Sequence, residues 1–82
     1  MKAKIKVYLK PGILDPQGKA VLHAINDMKY SDVSNVRIGK YIEITFNEGT
    51  PEKLRKEAED ICSKLLANPV MENYEIEFEE QS

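Results

Sequence analysis

Apolar and polar side chains alternate without a break from Lys4 to Lys10. The odd positions are isoleucine, valine and leucine, and the even positions are lysines and one tyrosine. A period of two is that of a β-strand, in which successive side chains point to opposite faces. The segment therefore predicts a strand with one buried face, and Pro11-Gly12 is expected to end it.

Two later segments change to the helical period. Each opens on a residue that can cap the first-turn amides and is followed by proline, at Asp15-Pro16 and at Thr50-Pro51. The second helix is expected to end near Asn68, because Pro69 disfavours the α conformation in the residue before it. Each helix has one apolar stripe: Val21, Ala24, Ile25 and Met28 in the first, and Leu54, Ala58, Ile61 and Leu65 in the second.

The segment from Val33 to Phe46 is rich in β-forming residues, and its apolar side chains stand at even positions on both sides of Gly39. A hairpin with a two-residue turn would mix core and solvent side chains on one face. Two arrangements keep the apolar residues together: a hairpin whose loop carries an extra, bulged residue, or one long strand bent at Gly39. Of these two we favour the bulged hairpin.

The last strand, opened by Val70, alternates aromatic and aliphatic residues with glutamates. The element order is then βαββαβ, an α+β fold of the ferredoxin-like, split βαβ type, with two helices on one face of an antiparallel sheet. The first and last strands are neighbours in this plan, so Lys4 and Lys6 should face the glutamates at 75, 77 and 79. With 82 residues, we expect a single domain spanning 1–82.

Charge and composition exclude several functional classes. The chain has 14 acidic and 12 basic residues, a net charge of -2, whereas nucleic-acid binders usually carry a basic excess. Its apolar runs are too short to cross a bilayer, and its first residues lack a hydrophobic signal segment. The lone Cys62 suits a reducing compartment. We expect a cytoplasmic protein that binds neither nucleic acid nor membranes.

No group of residues indicates an active site. His23, the only histidine, points away from the apolar stripe of its helix and has no second ligand at metal spacing. Cys62 has no nearby base in sequence and is interpreted as a small helical filler. The four glycines match no phosphate-binding motif. The carboxylates Glu72, Glu75, Glu77, Glu79 and Glu80 are interpreted as a solvated strand face. We predict no catalytic residue, no bound cofactor and no metal site.

Two segments carry more polar and turn-forming residues than simple connections require, namely 37–41 and 66–74. With the first loop they resemble the PurS family, at LKPGILDPQGKAV (9–21), VRIGKYIE (36–43) and CSKLLANPVMENY (62–74). The three blocks stand in the order expected of that family, and the likeness covers essentially the whole chain. Met71 and Asn73 depart from the aliphatic and acidic residues expected there.

The resemblance implies a function. PurS is the small subunit of phosphoribosylformylglycinamidine synthase, a glutamine-hydrolysing, ATP-dependent ligase of de novo purine biosynthesis. The resemblance therefore implies that this chain is non-catalytic and forms dimers or tetramers. It also implies that the chain bridges the glutaminase and synthetase subunits, so that ammonia is transferred to formylglycinamide ribonucleotide. Mg-ATP would be used by the synthetase partner.

We assign two roles to the motif residues. Arg37, Gly39, Lys40 and Tyr41 are expected to form a corner that binds a partner. The second group is expected to fix turns and helix ends, and it contains Asp15, Pro16, Gly18, Asn68, Pro69, Glu72 and Tyr74.

Two other functions are weighed against this one. A stand-alone ferredoxin-like regulatory module would bind a small effector between subunits. A nucleic-acid binder of the same fold would need stacking aromatics among cations on the open sheet face, where the sequence places only Tyr8 among paired charges.

Overall fold

The computed structural model describes residues 1–80 of the chain. Three strands form one antiparallel sheet in the order β2-β1-β3. The elements, in chain order, are β1 (Lys2–Leu9), α1 (Pro16–Asp27), β2 (Gly39–Thr45), α2 (Pro51–Ile61) and β3 (Glu72–Glu79). A five-residue π-helical extension of α2, Cys62–Leu66, precedes β3. The predicted α+β class, with an antiparallel sheet and two helices, is confirmed.

The register of the sheet follows the alternation in the sequence. β1 is the central strand, and Lys4 stands opposite Glu43 on β2 and Glu77 on β3. The lysine ammonium pairs with the carboxylate of Glu79 on the same open face. The predicted pairing of the first and last strands, with lysines facing glutamates, is therefore confirmed.

Both helices begin where their capping residues predict. The Asp15 side chain accepts a hydrogen bond from the Gly18 amide at 2.8 Å, and the Thr50 hydroxyl accepts one from the Lys53 amide at 3.3 Å. A proline follows each cap at the first helical position, where its missing N–H costs no hydrogen bond.

The core lies between the apolar face of the sheet and α2. Ala3, Ile5 and Val7 of β1 are almost fully buried, together with Ala58 of α2 and Cys62 of its π-helical extension. Alternation along β1 sends these side chains to one face and the lysines to the other, which explains why one face is dry and one is open.

The segment before β2 differs from the bulged hairpin that we favoured. One strand, Gly39–Thr45, forms there, and residues 33–38 are irregular. The cause is that the Ile38 amide binds the carboxylate of Asp15 and the Arg37 side chain binds carbonyls of the β1–α1 loop. A segment whose polar groups are used in this way cannot pair as a strand.

The position of α1 is the second difference. We expected its apolar stripe to lie on the sheet beside α2, yet Val21 is 39% exposed and Met28 is 64% exposed. Of the residues of α1 only Gly18 is buried. The radius of gyration is 16.4 Å, whereas a compact domain of this length would have about 12 Å. Along α1, Leu22 and Ile25 are half-buried, whereas Val21, Ala24 and Met28 are exposed. Within residues 1–80, neither helix has the length and apolar character that crossing a bilayer requires.

Candidate functional site

The three sequence blocks meet at one end of the sheet, where β1 ends and β2 and β3 begin. Tyr8 of β1 stands opposite Gly39, and Leu9 stands opposite Glu72. This end, called the loop end below, comprises residues 9–18, 36–41 and 67–72. Hydrogen bonds connect its three segments to one another, so the blocks form one structure.

Asp15 joins the start of α1 to the segment before β2. Its two carboxylate oxygens accept hydrogen bonds from the amides of Gly18 and Ile38, both at 2.8 Å. These two amides, first that of Ile38, hold the pKa of Asp15 below its ordinary value, and the nearby Arg37 charge acts in the same direction. The carboxylate is 5% exposed and fully used in binding backbone.

Arg37 closes the β1–α1 loop. Its guanidinium donates hydrogen bonds to the carbonyl oxygens of Ile13 at 3.0 Å, Lys10 at 3.2 Å and Leu9 at 3.5 Å. The loop itself contains a turn in which the Ile13 amide binds the Lys10 carbonyl, and Gly12 takes the positive φ of 86° that the turn requires. Arg37 therefore stabilises its own chain.

The third segment is ordered by Asn68. The side-chain oxygen of Asn68 accepts a hydrogen bond from the Val70 amide at 3.0 Å. The backbone amide of Asn68 donates a hydrogen bond to the carboxylate of Glu72 at 2.8 Å. The Lys10 ammonium donates to the Pro69 carbonyl at 2.8 Å, which ties this turn to the first loop. Asn68 and Glu72, two of the residues assigned to turn formation, thus contact one another directly.

Apolar side chains cover the outside of the loop end. Val70 is 77% exposed, Leu14 62%, Met71 42% and Ile38 38%. Asp15, Arg37 and Asn68 bind backbone groups, whereas these four apolar side chains are exposed. Clustered exposed apolar side chains at a surface are typical of a protein-binding site. Their one signal in the sequence is that Leu14 lies outside every periodic stripe.

The four residues expected to form a partner-binding corner lie in different places. Tyr41 lies on the open face and donates its hydroxyl proton to Glu43 at 2.8 Å, a bond that raises the pKa of Tyr41. Lys40 stands opposite Val7, on the apolar face of the sheet. Arg37 is held in the first loop, as described above. Gly39 lies so close to β1 that a Cβ there would approach the Val7 carbonyl oxygen to 2.8 Å.

Tyr74 and the other titratable residues considered for chemistry interact with groups of their own chain. The Tyr74 hydroxyl donates to Glu59 of α2 at 3.0 Å, and this bond raises the pKa of Tyr74. Burial raises the pKa of the Cys62 thiol, which makes it a poor nucleophile. His23 is exposed and faces Asp27 at 3.5 Å. Within residues 1–80, no group of three potential metal ligands occurs.

The open face of the sheet is balanced in charge. Lys2, Lys4 and Lys6 run along the central strand, flanked by Glu43 on one side and by the glutamates at 75, 77 and 79 on the other. Three cations face four carboxylates. A surface of this kind repels a phosphate backbone about as strongly as it attracts it, which argues against the hypothesis that the chain binds nucleic acid.

Comparison with known proteins gives a consistent result. Residues 2–80 match the family model of PurS, described as phosphoribosylformylglycinamidine (FGAM) synthase. The chain is 49% identical over 79 residues to the PurS subunit of phosphoribosylformylglycinamidine synthase of Bacillus subtilis, covering 96% of this chain and 93% of that protein. It is 40% identical over 78 residues to the PurS subunit of Methanocaldococcus jannaschii, covering 95% and 94%.

Solved structures agree with these relatives. The chain is similar to Bacillus subtilis PurS with a TM-score of 0.87 at 49% identity, covering 96% of this chain and 98% of that one. It is also similar to a chain in the structure of PurLQS from Thermotoga maritima, with a TM-score of 0.83 at 30% identity and 93% of both chains covered.

Proposed function

The chain belongs to the PurS family of phosphoribosylformylglycinamidine synthase subunits, which serve purine biosynthesis, and from that premise we propose that it is a non-catalytic, self-associating bridge. It binds the glutaminase and the ATP-dependent synthetase, and ammonia passes between them to formylglycinamide ribonucleotide. This chain binds no cofactor, and Mg-ATP is used by the synthetase in the cytoplasm. The proposal extends to this chain what the name PurLQS indicates for the Thermotoga maritima assembly.

The observation that carries the proposal is the group of exposed apolar side chains at the loop end. A catalytic site needs charged or polar groups that are free to contact a substrate and titrate near the working pH. Here Asp15, Arg37 and Asn68 bind backbone, and Leu14 and Val70 are among the exposed side chains. Such a surface gains free energy by covering apolar area against another protein.

A bridging chain is useful because of the chemistry of ammonia. In open water at neutral pH ammonia is mostly protonated and loses its nucleophilicity. Two active sites on separate chains must therefore be held in a fixed relative position, with water excluded from the route between them. A chain that contributes a rigid surface meets this need without a reactive group.

Loss of assembly tests the role of the loop end. We expect Val70→Asp and Leu14→Asp to weaken co-elution with the synthetase and glutaminase at least about tenfold, because each places a charge in an apolar interface. Lys53→Asp, at the start of α2, is the matched control and should co-elute normally. Full glutamine-dependent synthase activity from the two large subunits alone would refute the bridging role.

The predicted partner contacts are tested one by one. The Lys40 side chain makes no hydrogen bond or ion pair within the part of the chain that the structure describes, and its backbone pairs with β1, so Lys40→Ala should weaken assembly at an unchanged melting temperature. Tyr41→Phe keeps the ring and removes the bond to Glu43, and it should act in the same way. Arg37→Ala should instead lower the melting temperature, because three loop carbonyls lose their donor. If both Lys40→Ala and Tyr41→Phe bound the synthetase and glutaminase with unchanged affinity, neither residue would belong to the interface.

A further inference from the structure

The loop end is positively charged, although the whole chain has a net charge of -2. Its three segments contain three cations, Lys10, Arg37 and Lys40, and two carboxylates, Asp15 and Glu72. The loop end therefore has a net charge of +1, which leaves -3 for the remainder of the chain. One end of the molecule thus differs in sign from the rest.

Both carboxylates of the loop end bind groups of their own chain. Asp15 is 5% exposed, and its two oxygens accept the amides of Gly18 and Ile38. Glu72 is half-buried and accepts the Asn68 amide at 2.8 Å. None of the ion pairs found within residues 1–80 involves a cation of the loop end. These cations are therefore presented to a partner without a carboxylate paired to them.

The first of two grooves at the loop end has a volume of about 270 Å³ and borders Asp15. Leu14 and Val36 contribute apolar walls, and Lys19 and Arg37 contribute cations. The Arg37 guanidinium already donates to three backbone carbonyls. The exposed Lys19 side chain makes no hydrogen bond or ion pair within residues 1–80. Lys19 is therefore the cation of this groove that can bind an incoming carboxylate.

The second groove has a volume of about 260 Å³ and also borders Asp15. Leu9 and Ile38 contribute its apolar walls, and Lys40 contributes the cation. Glu72 lines this groove as well, but its carboxylate holds the Asn68 amide. The groove repeats the combination found in the first, an apolar wall beside a lysine that has no partner in the described part of the chain.

The size and chemistry of the grooves indicate what they bind. Both are smaller than the roughly 300–1,000 Å³ of a small-ligand pocket, and each has room for one side chain of a partner. An aspartate or glutamate fits, because its carboxylate pairs with the lysine while its aliphatic part covers apolar wall. Protein interfaces combine an apolar centre with a polar rim. The exposed Val70 and Met71 supply more of the first, and the lysines supply the second.

We propose that the loop end binds a surface of one of the two large subunits on which carboxylates surround an apolar centre. Lys19 and Lys40 each pair with one of these carboxylates. Charge complementarity also orients the chain, because an acidic partner surface attracts the loop end and repels the acidic remainder of the molecule. The proposal rests on the proposed function and specifies the chemistry of the partner surface.

Zero-length cross-linking of the assembled complex tests these contacts. A water-soluble carbodiimide activates a carboxylate, and a lysine in contact with it displaces the activating group to form an amide bond. The complex of the unmodified chain with the synthetase and glutaminase is treated, and mass spectrometry locates both ends of each bond. We expect bonds from Lys19 and Lys40 to a large subunit at least about ten times more often than from the exposed Lys56 of α2, because only paired groups are in contact.

Charge reversal tests the same contacts through the rate of association. One variant carries Lys19→Glu and Lys40→Glu, and the matched control carries Lys53→Glu and Lys56→Glu, with the same change in net charge. At 0.1 M salt we expect the first to associate with the large subunits at least about ten times more slowly than the control. The difference should shrink at 1 M salt, where the Debye length is about 3 Å instead of about 10 Å. Equal melting temperatures verify that both variants fold.

Two results would overturn this partner chemistry and leave the proposed function intact. The first is an assembled complex in which Lys19 and Lys40 form no more bonds to the large subunits than Lys56 does. The second is an association rate that falls equally, or not at all, in both double variants, since any effect would then follow net charge alone. If the unmodified chain did not co-elute with the synthetase and glutaminase, the proposed function itself would fail.

Discussion

Gly18 is the point at which α1 touches the rest of the chain most closely, and Gly18→Ala tests that contact. A Cβ at this position would lie 2.3 Å from the Val36 carbonyl oxygen and 2.9 Å from the Asp15 carboxylate. The first neighbour is a backbone carbonyl and the second is a hydrogen-bonded side chain, so moving either of them costs free energy. The helix must shift away from the segment before β2, or that segment must move.

Two opposing effects set the magnitude. Alanine is favoured over glycine inside a helix by up to about 1 kcal/mol, and overpacking costs about 1–3 kcal/mol. We expect a net loss of about 1–2 kcal/mol. In a domain of this size that corresponds to a melting temperature lower by roughly 4–16 °C.

The assay is thermal unfolding at equal protein concentration, since association raises the apparent stability. Ala20→Gly, at an exposed position of the same helix, measures helix propensity alone and should lower the melting temperature modestly. If Gly18 made no close contact, Gly18→Ala would have the opposite sign to Ala20→Gly. A melting temperature that rises in Gly18→Ala would therefore refute the reasoning.

Three further predictions concern the ends of elements. Lys29, at the C-terminal end of α1, has a positive φ of 73°. Glycine adopts this conformation more readily, so Lys29→Gly should raise the free energy of unfolding in urea by about 1 kcal/mol. A lower free energy of unfolding would contradict this. The lowered pKa of Asp15 means that its contribution to stability is present above the ordinary value of 3.8 and is lost as the pH falls through the lower folded value. The stability advantage over Asp15→Asn should therefore shrink as the pH falls below about 5. A constant difference would contradict this. Asn68→Ala should lower the melting temperature more than it lowers affinity for the partners, because the Val70 amide loses the side-chain oxygen that accepts its hydrogen bond. The reverse order of effects would disprove the structural role.

Local chemistry was sufficient to predict much of the fold. The alternation in β1 gave both its buried face and its register against β3, because a shift of one residue would bury lysines. The caps Asp15 and Thr50 marked both helix starts. These features depend on neighbours within a few residues or on a strict period of two, and such signals survive in any tertiary context.

The segment before β2 shows why the rest escaped prediction. Val36 and Ile38 continue the β pattern, yet the backbone amide of Ile38 is bound by Asp15, more than twenty residues earlier in the chain. The hydrogen bonds from Arg37 to the carbonyls of the first loop also have no signature in the sequence, because backbone acceptors are the same at every residue. Pattern analysis detects the period of a segment and cannot detect a distant hydrogen-bond partner that overrides it.

The exposed apolar stripe of α1 is a second feature that the sequence pattern could not predict. Amphipathicity indicates that a helix face is buried, and it does not indicate by which chain. The buried core of the described chain is made largely of small side chains, Ala3, Ala58, Cys62 and Ala67, with Ile5, Leu54 and Val7 as its largest members. Such a core gives little transfer free energy, so we expect the free energy of unfolding to rise when the exposed apolar stripe of α1 is covered.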